Sequence, residues 1–206
     1  MKVLIIAPHA DDEVLGCGGT LAKYKKLGYS LNLVIVGIRE LEDLTKYNPV
    51  FSIFDKGFNI NVQDEHFYKY KREIIKGLED AYNQIKPDII FIPNKDDFNN
   101  DHKVVHEACE VVCRRFQEHE PKKILAYEVP SSTTQSFNNN FKCNYYETLS
   151  EEDLTFKIQL FNIYEPEKRD IPNPRNERGL LIYASFRGME CNSMYAEGFN
   201  LIYQKK

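Results

Sequence analysis

Continuous apolar runs and amphipathic stretches alternate at the start of the chain. The segment from Lys2 to Pro8 is apolar after its first residue and rich in β-branched side chains, which predicts a central strand covered on both faces. Helical spacing follows from Val14 to Leu27 and stops at Gly28, and the run from Tyr29 to Gly37 predicts a second strand. This order of elements is typical of the start of a doubly wound α/β sheet.

The later part of the chain carries the same two patterns. Residues 38–62 show no clear periodicity, and we expect a long surface loop at 130–140 and an irregular segment at 165–178. Ser150 and Asp153 form a capping-box signature, which predicts the start of a helix. The remaining predicted elements are helices at 67–82, 102–117, 151–164 and 179–188 and strands at 88–92, 124–128 and 196–203.

Length and composition narrow the class of protein. The chain has 206 residues, shows no repeat or linker, and is expected to form one domain. Its formal net charge of −4 argues against a nucleic-acid partner. No apolar run approaches the roughly 18 residues that a membrane span needs. The five cysteines are an odd number at scattered spacings, which is typical of free thiols in a reducing compartment, so we expect a cytoplasmic protein.

Candidate metal ligands cluster directly after the first predicted strand. His9, Asp11, Asp12 and Glu13 lie at the carboxyl end of that strand, where α/β sheets bind ligands. Imidazole and carboxylate groups suit Zn²⁺ or a similar ion, and of two adjacent aspartates one can bind the metal while the other serves as a base. The alternative is a solvated turn whose carboxylates cap the next helix. The spacing alone does not decide between these interpretations.

A second polar cluster, Asp96–His102, follows another predicted strand and precedes a helix. His102 is a candidate third ligand, and Asp101 a candidate to orient a neighbouring donor. The pair His102 and His106 has the spacing of a zinc-binding helix, but no glutamate follows the first histidine to act as the base. Two such clusters at carboxyl ends of strands favour one shared site.

Other polar or small residues have simpler interpretations. Cys109 and Cys113 lie on the same predicted helix face as the two histidines. On a straight helix, however, Cys113 lies about 16 Å from His102, so one ion cannot bind both. We therefore interpret both cysteines as core residues. The glycines of Gly16–Gly19 match neither a dinucleotide nor a phosphate-loop motif and favour close helix packing. Glu197 is either a site residue or a carboxylate at a strand end.

Four segments, in this order, are similar to motifs of a known superfamily. They are PHADDE with GCGGTLA, DIIFIPNKDDFNNDH, ILAYEVPSST and YAEGF. The chain thereby resembles the LmbE-like (PIG-L) superfamily of zinc-dependent N-deacetylases, which act mainly on N-acetylglucosamine-type substrates. The resemblance implies one domain over residues 1–206 with a Rossmann-like layered α/β fold, a mostly parallel sheet and helices on both faces. It also implies Zn²⁺ as cofactor, a small amino-sugar derivative as substrate and, because members are often oligomeric, a homo-oligomer.

The resemblance also assigns roles to individual residues. By position, it implies that His9, Asp12 and His102 hold zinc and that Asp11 is the general base. Asn99 stands where the second motif commonly has a histidine that stabilises the oxyanion or acts as an acid. Asparagine can donate a hydrogen bond there, but it supplies no proton at neutral pH.

We therefore expect a zinc-dependent amidohydrolase that removes an N-acetyl or other N-acyl group from an amino-sugar derivative, with Asp11, Asn99 and Asp101 as its catalytic set. Two alternatives stay open. The departure at Asn99 raises the alternative of a weakened or non-catalytic member that binds a sugar or nucleotide-sugar. The glycine cluster alone raises the alternative of a metal-free nucleotide-binding module.

Overall fold

A single mixed sheet organises the protein, for which the computed structural model describes residues 1–39, 43–116, 118–137 and 141–205. Its strands are β1 (Lys2–Ala7), β2 (Ser30–Ile38), β3 (Lys56–Gln63), β4 (Ile89–Pro93), β5 (Lys123–Tyr127), β6 (Tyr145–Leu149) and β7 (Tyr195–Gln204). They lie in the order β3-β2-β1-β4-β5-β7-β6. The first five in this order are parallel, and β7 is antiparallel to both of its neighbours.

Helices cover both faces of this sheet. Val3 and Ile5 of β1 pack into an apolar layer with α1 and α5, whereas Leu4 and Ile6 pack into a second layer with α3 and α4. The mostly parallel α/β architecture expected from the sequence is therefore confirmed. Among the described residues, no helix combines the length and hydropathy that crossing a bilayer requires. The helices are α1 (Asp12–Lys26), α2 (Asn48–Phe51), α3 (Lys71–Ile85), α4 (Asn100–Val112), α5 (Glu151–Ile163) and α6 (Glu177–Glu190).

The two strands at the sheet edges were not predicted. β3 overlaps the end of 38–62, and the absence of periodicity there was a wrong interpretation, because Phe58, Ile60 and Val62 alternate with more exposed residues along this strand. β6 contains the buried Glu147. An edge strand has a single neighbour and need not carry the continuous apolar run of a central parallel strand.

Other local predictions had mixed outcomes. Ser150 caps α5 through the predicted capping box. Helix α4 ends at Val112, earlier than expected, because the apolar stripe ends there and Phe116 is fully exposed; the predicted end at Gln117 lies outside the described residues. The segment 165–178 is irregular, as expected, apart from a short 3-10 turn at Glu165–Glu167 and its last two residues, where α6 begins at Glu177. In the predicted surface loop, Ser132 and Thr133 are in fact buried, and residues 138–140 lie outside the description.

Helix α1 is interrupted at Cys17, whose backbone has φ −145° and ψ 17°. The Leu15 carbonyl and the Gly19 amide, which pair with each other in a continuous helix, both have side-chain partners here. The surrounding glycines permit close packing, since a Cβ on Gly16 would lie 2.3 Å from the ring of Tyr127. The interpretation of the glycine cluster as a packing feature is confirmed.

A buried ion pair supplies these partners. Glu197 accepts hydrogen bonds from the backbone amides of Gly19 and Thr20 at 3.0 and 2.7 Å. Lys157 donates to the Leu15 carbonyl at 2.8 Å and to Glu197 at 2.6 Å. Of the two interpretations of Glu197, the structure favours a structural carboxylate, which joins β7 and α5 to the interruption in α1.

Breaking this pair should destabilise the whole domain. We expect Glu197→Gln to lower the free energy of unfolding by about 3–5 kcal/mol, because it leaves the buried Lys157 ammonium without a counter-ion. Urea denaturation measures the change. The matched control is Glu152→Gln. It removes an exposed ion pair with Lys26 between α5 and α1 and should leave the denaturation midpoint nearly unchanged. Equal effects of the two variants would contradict this account.

Candidate metal centre

The loop between β1 and α1 carries the first polar cluster into the protein interior. His9, Asp11, Asp12 and Glu13 are all at most 5% exposed. Asp12 Oδ2 accepts a hydrogen bond from the backbone N–H of His9 at 2.9 Å, and Glu13 Oε2 accepts one from that of Asp11 at 3.1 Å. The side chain of Asp11 does not cap α1. The alternative of a solvated capping turn is therefore excluded.

The second cluster lies where the chain leaves β4 and enters α4. Asn99 is the N-cap of this helix, and its Oδ1 accepts a hydrogen bond from the backbone N–H of Asp101 at 2.8 Å. His102 follows in the first turn and is 1% exposed. Because β4 lies beside β1 in parallel register, the carboxyl ends of both strands meet at one edge of the sheet.

Three side chains from the two clusters converge at this edge. Asp12 Oδ2 lies 3.2 Å from His102 Nε2 and 3.4 Å from His9 Nδ1. One ligand atom from each of the three residues lies within 4.8 Å of the others. The structure thus brings together the three residues that the sequence offered as metal ligands.

Further carboxylates hold the two imidazole rings from outside. Asp97 Oδ2 lies 3.3 Å from His102 Nδ1, although without the geometry of a hydrogen bond. Asp64 Oδ1 lies 2.8 Å from His9 Nε2, and Asp101 Oδ2 lies 3.6 Å from the same atom. Such outer carboxylates fix the orientation of ligating histidines. The partner predicted from sequence, Asp101, therefore faces His9, whereas Asp97 faces His102.

The charges in this cluster are strongly coupled. Burial alone would lower the pKa of His102, but Asp12 and then Asp97 outweigh it and raise the pKa to about 9. Burial likewise opposes the charge of His9, yet Asp101, Asp12 and Asp64 raise its pKa well above the ordinary value. The two imidazoles, His102 ahead of His9, hold the pKa of Asp12 well below normal despite its burial. The acidic surroundings therefore attract positive charge to this point.

The donor set fits a divalent metal ion. Two imidazole nitrogens and one carboxylate oxygen are the protein ligands of many catalytic zinc sites, which keep another position open. Asp12 Oδ1 is buried and has no hydrogen-bond partner, so this carboxylate retains an unused acceptor. A divalent cation would supply the positive charge that the surrounding carboxylates favour.

Asp11 lies beside the three ligands but is held by a different set of contacts. Burial, and then the charge of Asp12, raise its pKa to about 7, although Arg175 and Arg39 oppose the shift. Arg175 Nη1 donates to Asp11 Oδ2 at 3.0 Å. Asp11 also has φ 137°, a backbone conformation that residues with side chains rarely adopt. A buried carboxylate whose pKa is raised to near neutrality is suited to accept and return a proton.

Sequence reasoning missed three charged residues around this site. Asp64 directly follows the unpredicted strand β3, and the recognition of that strand would have placed it at the same sheet edge. Arg39 and Arg175 come from non-periodic segments, and nothing in the hydrophobic pattern indicated their position. Arg39 Nη2 lies 3.6 Å from Asp11 Oδ1.

The other candidate residues on α4 are buried and contact the backbone or the apolar core. His106 is buried, with Nδ1 2.8 Å from the carbonyl oxygen of Pro93. Cys109 and Cys113 are buried in the apolar layer between α4 and the sheet. The interpretation of these cysteines as core residues is confirmed.

Known proteins resemble this chain in sequence and in fold. A family model, PIG-L: GlcNAc-PI de-N-acetylase, matches residues 4–38, which include β1, the first ligand cluster and α1. The uncharacterized deacetylase YaiS of Escherichia coli (strain K12) is 27% identical over 169 residues, covering 76% of this chain and 86% of YaiS. These matches show that the chain is similar to the LmbE-like (PIG-L) superfamily. This confirms the resemblance carried by the four sequence segments.

Two solved structures share the fold of this chain. One is GalB, the 4-carboxy-2-hydroxymuconate hydratase of Pseudomonas putida KT2440, with a TM-score of 0.74 and 15% identity over 100% of this chain and 97% of GalB. The other is the N,N'-diacetylchitobiose deacetylase of Pyrococcus horikoshii, with a TM-score of 0.71 and 19% identity over 98% of this chain and 83% of the deacetylase. One is a hydratase and the other a deacetylase, so the fold alone does not determine the reaction.

We expect the protein to bind one divalent ion per chain through the converging side chains of His9, Asp12 and His102. His102→Ala should abolish tight binding, because it removes one of the three donors. His106→Gln, one turn later on α4, should retain the ion because His106 contacts the Pro93 carbonyl instead. Metal analysis of the dialysed protein measures the number of bound ions per chain. Loss of metal from both variants, or from neither, would contradict the assignment.

A substitution of Asp97 tests whether the outer carboxylates contribute to metal affinity. Asp97→Asn should weaken metal affinity by about 10–100-fold, because the amide holds the His102 ring less firmly than the carboxylate does. Competition with a chromogenic chelator measures the dissociation constant. An affinity equal to that of the wild type would show that Asp97 serves its other donors instead, which are the hydroxyls of Ser132 and Thr133 and the backbone N–H of Asn99.

Proposed function

We propose that the protein is a zinc-dependent hydrolase that removes an N-acetyl or similar N-acyl group from an amino-sugar derivative. The observation that carries the proposal is the convergence of His9, Asp12 and His102 beside the buried carboxylate of Asp11. The names of its relatives support the substrate class, since the family model is described as a GlcNAc-PI de-N-acetylase and one solved neighbour is a chitobiose deacetylase.

His9, Asp12 and His102 would hold the ion, and Asp11 would handle the proton. When bound, the ion would lower the pKa of a water molecule and polarise the acyl carbonyl. Asp11 Oδ1 has no hydrogen-bond partner, which leaves it free to accept the proton that the attacking water loses. A carboxylate with a pKa of about 7 can hand that proton on to the leaving amine.

Asn99 and Asp101 complete the proposed catalytic set. The Oδ1 of Asn99 is occupied by the Asp101 backbone amide, so its Nδ2 group is the part that remains to donate a hydrogen bond to the developing oxyanion. Asp101 also accepts a hydrogen bond from the Glu65 backbone at 2.7 Å and faces His9. Its role is therefore to orient a ligand, and the acid in this scheme is Asp11.

A specific observation favours a second candidate function, the binding of an acetylated sugar without turnover. Asn99 stands at the position where related motifs commonly have a histidine, and it is committed to capping α4. Unlike histidine, an asparagine in that position supplies no proton. On this alternative, the metal-loaded protein would bind N-acetylated sugars and release no acetate, and Asn99→His would create activity.

A measurement of acetate release distinguishes the two candidate functions. The metal-loaded wild type should deacetylate at least one of N-acetylglucosamine, N,N'-diacetylchitobiose and their lipid- or nucleotide-linked forms. Asp11→Asn should lower kcat by about 10²–10⁴-fold, because the amide cannot accept a proton. Its metal content should stay unchanged, since Asp11 lies outside the ligand group.

The matched control is Asp80→Asn, which alters an exposed carboxylate on α3 and should leave kcat unchanged. Full activity of Asp11→Asn would show that the base is assigned wrongly. Sugar binding without acetate release by the wild type would instead establish the binding function.

A further inference from the structure

The irregular segment 165–178 brings one side chain into contact with the candidate base. Arg175 Nη1 donates hydrogen bonds to Asp11 Oδ2 at 3.0 Å and to Glu167 Oε2 at 2.9 Å. Its Nε donates to Ser131 Oγ at 2.8 Å. The guanidinium is thus bound on three sides, and one of these contacts is to a carboxylate adjacent to the metal ligands.

The position of Arg175 is determined by the start of α6. Asn176 caps this helix by accepting a hydrogen bond from the backbone amide of Gly179 at 2.9 Å. A Cβ on Gly179 would lie 2.1 Å from the Pro174 carbonyl oxygen, so the chain before Arg175 packs directly on the first turn. The arginine therefore extends from a well-packed point, even though the segment around it has no regular structure.

The two oxygens of Asp11 have different surroundings as a result. Oδ2 is hydrogen-bonded to Arg175. Oδ1 is buried without a hydrogen-bond partner, and Arg39 Nη2 is too distant, at 3.6 Å, to provide one. The backbone of Asp11 is also held, because its N–H donates to Glu13. One oxygen is fixed and the other is left available.

We infer that Arg175 is the positioning residue of the general base: it fixes Asp11 through Oδ2 so that Oδ1 is presented to the reacting water. This inference rests on the proposed function. Carboxylate side chains rotate readily, and a displacement of about 1 Å in a reacting group can cost on the order of 100-fold in rate. A planar guanidinium that is anchored elsewhere resists such rotation better than a flexible ammonium.

A purely structural role for Arg175 makes different predictions from a positioning role. If the arginine only closed the segment 165–178 over the site, its loss would reduce stability, and a small guanidinium compound would not restore turnover selectively. If it bound the substrate, its loss would raise KM at an unchanged kcat. Positioning of the base instead predicts a fall in kcat with KM and metal affinity retained.

The experiment uses the metal-loaded, full-length enzyme and the variant Arg175→Ala. We expect kcat to fall by about 100-fold, with little change in KM or metal content. Added ethylguanidinium, at concentrations that do not unfold the protein, should restore a large part of kcat. Arg175→Lys should recover less than the rescued alanine variant, because an ammonium lacks the planar pair of donors.

Arg169→Ala is the matched control, since Arg169 lies on the same segment and its guanidinium donates to the carbonyls of Pro166 and Lys168, away from Asp11. It should keep wild-type kcat and show no response to ethylguanidinium. An unchanged kcat in Arg175→Ala, a change in KM alone, or a loss that ethylguanidinium does not rescue would each overturn the inference.

A crystal structure of Arg175→Ala separates this inference from the proposed function. The Asp11 carboxylate should adopt a different orientation there, whether or not the protein turns over a substrate. If the wild type hydrolyses nothing while Asp11 reorients in the variant, the proposed function fails and the positional effect of Arg175 stands. If the wild type is active and Asp11 has the same orientation in Arg175→Ala as in the wild type, the positioning role is wrong.

Discussion

The parallel pairing of β1 with β4 is the constraint on which the candidate site depends. These strands are separated in the chain by β2, β3 and α3, yet they lie side by side at the point where the order of the sheet reverses. Their carboxyl ends open at the same edge, where the loop after β1 carries His9 and the first turns of α1 and α4 carry Asp12 and His102. A shift in this pairing would separate the donors, so the hydrogen bonds of the sheet determine the chemistry of the site.

Much of this arrangement could be predicted from sequence, because its central parts have strong local signals. Buried parallel strands such as β1 read as uninterrupted apolar runs, and polar residues directly after two such runs predict a shared site. The capping box at Ser150 also acts over a short distance along the chain. Local signals of this kind can be recognised without knowledge of the tertiary structure.

The parts that sequence reasoning missed depend on contacts between distant segments. The edge strands β3 and β6 lacked a central strand's apolar run. Arg175 lies in a segment without periodicity, and its contact with Asp11 spans 164 residues. The interruption of α1 at Cys17 was equally hidden, because its backbone groups are satisfied by Glu197 and Lys157. The supporting shell of the site is therefore a property of the completed fold rather than of any one motif.

The interruption in α1 also has a consequence for the order of assembly on the ribosome. Gly19 lies in the helix that follows the first ligand cluster, but the carboxylate that receives its amide is synthesised 178 residues later. In a nascent chain that has emerged only as far as α5, Lys157 has no counter-ion, so burial of its ammonium against α1 is unfavourable at that stage. The amino-terminal ligands are made first, but they gain a rigid support only when the strand carrying residue 197 joins the sheet.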